Sequence, residues 1–296
     1  MSNEMSKRLQ TYELTLRDLR EADIPKLHEL SVGVGWPHRP DDWRMLLQLG
    51  KGYVGCDKIG RIVGSAMWFP IADNFATTGM VITSPRLQAS GGGRWLMKHV
   101  MQQCEGRNIR VNATKESHRL FTSLQFKTLG TVCQHQGIAI NPGIVEPRVE
   151  PTDGAQLRKL EAADLAEIVR LDKAAFGVDR TVVFKVLLGV SKGTVLIRNE
   201  QMIGFALCRK FGRGYVIGPV VAQNDTDAIA LIAPYVASHA GQFLRVDTAR
   251  GDGEFTEFLI RCGLQEYGRV TTMAQEQHPL DDTGIYTFAL ASHTLG

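Results

Sequence analysis

The chain has 296 residues, about twice an ordinary domain, with 44% hydrophobic and 22% charged residues; this composition excludes collagen-like, low-complexity and largely disordered architectures. Its 34 basic and 31 acidic residues leave a net charge of +3, too balanced for a protein that neutralises a phosphate backbone, so no nucleic acid partner is expected. Five scattered cysteines without a CxxC pair fit a reducing cytosol. The polar opening MSNEMSKRLQ and the lack of any apolar run of roughly 18 residues predict no signal peptide, no membrane partner and a cytoplasmic protein.

In chain order, residues 14–19 alternate as a strand, and residues 21–30 place Ile24, Leu27 and Leu30 at helical spacing, with Asp23 before Pro25 reading as a helix start. A helix over 41–49 follows, then a hairpin of KGYVGCD and RIVGSAMWFP, and a strand through TTGMVITS. Next come a turn, a helix RWLMKHVMQQC, a strand IRVNA, a helix ESHRLFTSL and a strand FKTLGTVCQHQ. The second half offers a hairpin of GTVLIRNE and QMIGFALCRK, a strand YVIGPVVA, a helix over 225–239, a strand FLRVDTA, a helix EFTEFLIRC and a strand after Gly268.

The halves open alike. Setting residues 17–30 over 158–171, an offset of 141, superposes Arg17 on Arg158, Leu19 on Leu160, Asp23 on Asp164 and Leu30 on Leu171. Residues 137–154, with three prolines, read as a linker or exposed strand, so the spacing predicts a duplicated α/β (α+β) chain with domains at 1–144 and 145–296. Residues 1–150 carry 19 Lys/Arg against 14 Asp/Glu and the remainder 15 against 17, an excess that fits a first half built for an anionic small molecule and equally a solvated face.

The most informative stretch runs from Thr77 to Cys104: a strand, a Pro-containing turn, Gln88-Ala89-Ser90-Gly91-Gly92-Gly93, then a helix beginning at Arg94. Helix-start amides lack intrahelical acceptors and glycines admit an anion to the backbone, so a pyrophosphate fits there, with the amides of Gly91, Gly93 and Arg94 as donors and Arg94 adding charge. A dinucleotide GxGxxG site would want glycine where Leu96 or Met97 stands, and no GxxxxGK[ST] string exists. No His/Cys/Asp/Glu group has metal-ligand spacing, so no metal is expected.

Together, strand Met80-Val81-Ile82, the [QR]xxGx[GA] turn Gln88 to Gly93, its helix, and the later phrase Leu120-Phe121-Thr122-Ser123-Leu124-Gln125-Phe126 resemble the GCN5-related N-acetyltransferase (GNAT) superfamily. VGWPHRPDDW and GPVVA resemble its tandem members with a degenerate second repeat. The resemblance implies two tandem GNAT-like domains, each a mixed, mostly antiparallel sheet flanked by helices, and an enzyme transferring acetyl from acetyl-CoA to a primary amine. It implies that Met80, Val81 and Ile82 pair with the pantetheine arm, that Gln88 to Arg94 hold the pyrophosphate, and that Asn112 opens or contacts the acyl slot. Phe121 stands where many members have a tyrosine that protonates the thiolate, and phenylalanine has no proton to give. That departure leaves a non-catalytic acyl-CoA or ligand sensor as the alternative reading, with a nucleotide-dependent oxidoreductase as a third.

An acetyl transfer needs a neutral amine, hence a general base. His38, Asp73 and His135 are the candidates, and each also fits an ordinary surface or hydrogen-bonded role. Trp36, Trp43 and Arg39 read as acceptor-pocket walls, Arg39 favouring a carboxylate, or as core residues. In the second half, two acids in Gln223-Asn224-Asp225-Thr226-Asp227 would repel a pyrophosphate, so it should close the acceptor site, with Asp247 and Arg250 as acceptor contacts or a surface ion pair. The expected partner is a small-molecule amine; the assembly is a monomer or a homodimer.

Overall fold

The computed structural model describes residues 6–9, 12–88, 90–145, 151, 154–277 and 282–296. The first half runs β1 (Ser6–Leu9), β2 (Tyr12–Asp18), α1 (Ile24–Gly33), α2 (Pro40–Leu49), β3 (Lys51–Cys56), β4 (Ile62–Ala72), β5 (Phe75–Thr83), α3 (Gly92–Gln103), β6 (Asn108–Ala113), α4 (His118–Ser123) and β7 (Lys127–Ile138). After a short α5 (Pro142–Val145), the second half runs β8 (Gln156–Lys159), α6 (Leu165–Phe176), α7 (Thr181–Val190), β9 (Ser191–Arg198), β10 (Gln201–Phe211) and β11 (Gly214–Ala222). It continues with α8 (Asp225–Ser238), β12 (Phe243–Thr248), α9 (Glu254–Arg261) and β13 (Gln265–Ala274), then adds β14 (Tyr286–Ala289), which the periodicity does not predict. The expected linker over 137–154 instead contains the end of β7 and α5; residues 146–150, 152 and 153 lie outside the described residues.

Local chemistry explains these elements. Helix α2 starts on Pro40 with the Asp42 carboxylate accepting from the Arg39 amide at 2.8 Å, and buries Trp43 and Leu46 one turn apart. Strand β6 alternates, with Ile109, Val111 and Ala113 inward and Arg110 and Asn112 on the other face. Asp23 differs from its expected role. Rather than capping α1 forward, its carboxylate grips both terminal nitrogens of Arg17 at 2.7 Å and accepts from the Arg20 amide at 2.9 Å, closing a 3-10 turn before α1. A bidentate guanidinium gives the carboxylate more than one helix amide could. The second half repeats the joint at the predicted offset, Arg158 holding Asp164 at 2.8 Å and the Glu161 amide donating to it at 2.8 Å.

Among the described residues fourteen strands form one sheet in the order β1-β2-β3-β4-β5-β6-β13-β7-β12-β11-β10-β9-β8, with β14 beside β11. Among these described strands only β5–β6 and β11–β12 pair parallel. The halves exchange their closing strands: β13 pairs with β6 (Thr272 opposite Asn112) and β7 pairs with β12 (Gln134 opposite Asp247). Each exchanged strand covers an edge that the other half would leave open. The core is shared as well, one apolar cluster drawing Leu27, Trp43 and Phe69 from the first half and Phe176, Phe184 and Phe205 from the second.

Candidate active site

The parallel strands β5 and β6 are paired from Phe75–Asn108 to Thr78–Val111 and then diverge. The cause is a bulge. Against β4 the register jumps between Ser65–Ile82 and Met67–Gly79, so β5 carries an extra residue, and Met80 takes φ 51° with its carbonyl held by the Ser65 hydroxyl at 2.8 Å. The resulting slot opens into a cavity of about 530 Å³ whose wall includes Gly79, Met80, Val81, Asn112 and Phe121 from the first half, and Arg209, Phe211, Arg245 and His293 from the second.

Outside this wall, the glycine turn stands at the start of α3. Gly91 occupies the N-cap at φ 87°, a left-handed conformation suited to glycine, and no side chain caps the helix there. The first helical bond among the described residues is Trp95 N–H to Gly91 at 3.1 Å, which leaves Gly92, Gly93 and Arg94 in the open first turn. A Cβ on Gly93 would lie 3.3 Å from the end of the Leu120 side chain, a tight approach that a larger residue makes only if Leu120 shifts by a few tenths of an ångström. Gln88 and Arg94 are exposed, Ser90 bonds the Leu87 carbonyl, and Ala89 lies outside the described residues. Ile82 is buried in the core cluster rather than in the cavity wall.

Asn112, at the mouth of the slot, has both ends of its amide engaged: Nδ2 donates to the His293 carbonyl at 2.8 Å and Oδ1 accepts from Thr272 at 2.7 Å. Phe121 is buried against Phe126 in an edge-to-face pair. Trp36 and His38 line the cavity, whereas Trp43 is fully buried in the core and Arg39 is bound to Asp42 and to the Lys210 carbonyl at 2.9 Å. Asp73 is exposed in the β4–β5 turn, and His135 is buried with Nδ1 3.1 Å from the Leu264 carbonyl; neither contributes to the wall. The strand pleat turns His135 inward and presents its neighbours Gln134 and Gln136 to the cavity instead. Arg250 lies over the rings of Tyr286 and Phe288, away from the cavity.

Arg209, Arg245 and His293 of the second half line the inner wall, and the residue of this cluster that the sequence singles out, Asp247, is buried beside Arg245 and His293. Its buried carboxylate accepts from Arg245 at 2.9 Å and stands 3.3 Å from His293 Nε2. Burial pushes Asp247 up, but the charges of Arg245 and His293 outweigh it and hold the carboxyl well below its ordinary value. His293 is fixed twice, by Asp247 at its ring and by Asn112 at its carbonyl. The next residue, Thr294, packs on Gly79 and Met80 at the bulge. Arg209 is 3% exposed and donates to the Ala291 carbonyl at 2.8 Å, while its Nε and Nη1 are buried without an acceptor. Burial brings Arg209 down to about 10 and His38 down to about 4, so at neutral pH Arg209 is a cation and His38 is uncharged.

Residues 38–143 and 168–287 each match a family model described as an acetyltransferase (GNAT) domain. The chain belongs to the GNAT acetyltransferase family: it is an acyltransferase built from two tandem GNAT domains. It is 25% identical over 283 residues to YitH, an uncharacterized N-acetyltransferase of Bacillus subtilis (strain 168), an alignment covering 94% of this chain and 97% of that one. It is 22% identical to the holothin acyltransferase of Pseudoalteromonas sp. (strain SANK 73390), covering 93% and 95%. A solved Pyrococcus horikoshii structure, described provisionally as an acetyltransferase, shares the fold with a TM-score of 0.79 at 16% identity, covering 100% and 99%.

Proposed function

We propose that the protein moves an acetyl group from acetyl-CoA to the primary amine of a small molecule held in the cavity between the halves. The observation that carries this reading is the continuity of the site: the β5–β6 slot opens directly onto a wall that carries His293, whose ring pairs with the buried carboxylate of Asp247. The bare start of α3 suits the pyrophosphate of acetyl-CoA, the bulge at Met80 suits its pantetheine arm, and bound acetyl-CoA supplies the activated thioester.

In this reading His293 is the base. Asp247 orients its ring and stabilises the imidazolium formed when the amine gives up its proton. The C–N bond forms as the C–S bond breaks, and the proton passes through His293 to solvent or to the departing sulfur, since Phe121 offers none. His38 stays neutral too far below working pH to be an efficient base, and it serves with Trp36 as an apolar wall. The free state of all five cysteines fits action in a reducing cytoplasm.

Two measurements test the reading: calorimetric binding of acetyl-CoA, and amine-dependent release of free thiol across a panel of primary amines. We expect one acetyl-CoA per chain, and a His293→Asn variant with kcat lowered about 10²–10⁴-fold at unchanged acetyl-CoA affinity. Binding of acetyl-CoA without any amine-dependent thiol release would favour the sensor alternative, and no binding to the folded protein would end both.

A further inference from the structure

The charges around Arg209 do not balance. Asp42 is engaged by Arg39 and by the Gly212 amide at 3.1 Å, and Asp247 by Arg245 and His293. Arg209 has no carboxylate within ion-pairing distance among the described residues, although it is nine-tenths buried and two of its nitrogens have no acceptor. An uncompensated buried guanidinium is costly, and structures retain one where a ligand completes it.

Arg209 comes from β10 and Arg245 from β12, yet both lie over the same ring, Phe211, at 5.3 and 5.4 Å. Two guanidiniums thus lie against one aromatic platform, and the one carboxylate paired with either among the described residues, Asp247, is bound to Arg245. Arg245 Nη2 also stands 3.3 Å from His293, so an anion seated on this pair sits beside the base.

We propose that the acceptor is an amino acid whose carboxylate docks on the Arg209–Arg245 pair while its amine, a few bonds away, faces His293. The inference rests on the acetyl-transfer reading and names its substrate class. The arrangement separates the two functional ends: the carboxylate is neutralised on the second-half strands, and the amine is delivered toward the slot at Met80. Phe211 and Trp36 supply apolar surface for the remainder of the molecule. The sequence-level placement of a carboxylate on Arg39 shifts to Arg209, because Asp42 already occupies Arg39.

The test titrates the full-length protein, with and without coenzyme A, with a panel of N-acetylated amino acids and their carboxamides. The carboxylate form of the best pair is expected to bind at least tenfold more tightly than its amide. Arg209→Met should bring the two within about twofold, Arg209→Lys should keep part of the preference, and acetyl-CoA affinity should be unchanged in both. Equal binding of acid and amide to the wild type, no binding of any acid, or a preference that survives Arg209→Met overturns the proposal. Because the wild-type comparison needs no variant, a misfolded substitution cannot obscure the answer. Loss of acetyl-CoA binding with the carboxylate preference intact would sink the transferase reading while leaving the anion site standing.

Discussion

The two halves carry the same joint, strands and helices, yet treat the start of the equivalent helix in opposite ways. In the first half α3 begins at Gly91 with no side-chain cap. In the second, the Asn224 side chain accepts from the Asp227 amide at 2.9 Å, Asp225 accepts from the Phe255 amide at 2.9 Å, and buried Asp227 pairs with Arg198 at 3.1 Å. The slots differ in the same sense. Where β5 and β6 diverge there is a cavity, but where β11 and β12 diverge beyond Val216–Arg245, β14 pairs with β11 and Leu290 donates to the Asp247 carbonyl at 2.8 Å. One repeat kept an open ligand groove, and the other filled its groove with its own backbone.

The largest effect should come from closing the open turn. Gly93→Glu puts bulk and a negative charge at the bare helix start, and calorimetry should show acetyl-CoA affinity reduced at least about 100-fold. The mirror change sharpens the contrast: Asp225→Asn with Asp227→Asn should leave stoichiometry at one acetyl-CoA per chain, since β14 still fills the second slot. A gain of a second site would break the comparison.

Stability should divide along the tail. Arg180 and Asp172 form a fully buried pair, and Arg180 also holds the Leu295 and Gly296 carbonyls at 3.1 and 2.8 Å. Arg180→Ala strands a buried carboxylate and should cost about 3–5 kcal/mol in denaturant unfolding. Arg17→Ala, at a half-exposed pair, should cost only about 1 kcal/mol.

A smaller effect depends on pH. His38 is favoured neutral in the folded protein, so its contribution is complete above the ordinary value near 6.5 and fades as pH falls toward about 4. Stability should decline across that window by up to about 3 kcal/mol, and His38→Gln should flatten the decline. Smallest of all, Arg250→Ala should change stability by no more than about 0.5 kcal/mol and leave acetyl transfer intact, as befits a partly exposed residue outside the cavity.

Much of the first-half site is legible because its signals are local. The strand, glycine turn and helix from Thr77 to Gln103 lie within one stretch, and the Arg17–Asp23 joint repeats at a readable offset. The acceptor side resists reading for a physical reason. Which of Gln134, His135 and Gln136 faces the cavity depends on the register of β7 against β12 and β13, not on residue type. Arg209 stands out as a charge inside the apolar run FALCRKF, but its lack of a carboxylate partner among the described residues is visible only once Asp42 and Asp247 are seen to be occupied. His293 meets Asn112 across 181 residues, a contact no local pattern encodes.

Short-range chemistry in the chain determined the duplicated order of strands and helices, the bare glycine turn and the acidic, capped start of its counterpart. Helix starts, turns and pleat periods depend on neighbours a few residues apart, so they can be read directly. Only the tertiary structure decided that the halves exchange strands, that β14 fills the second groove, and that His293, Arg245 and Arg209 converge on the first. Those outcomes depend on which distant strands pair and in which register, and a one-residue slip would turn each of those side chains to the opposite face of the sheet.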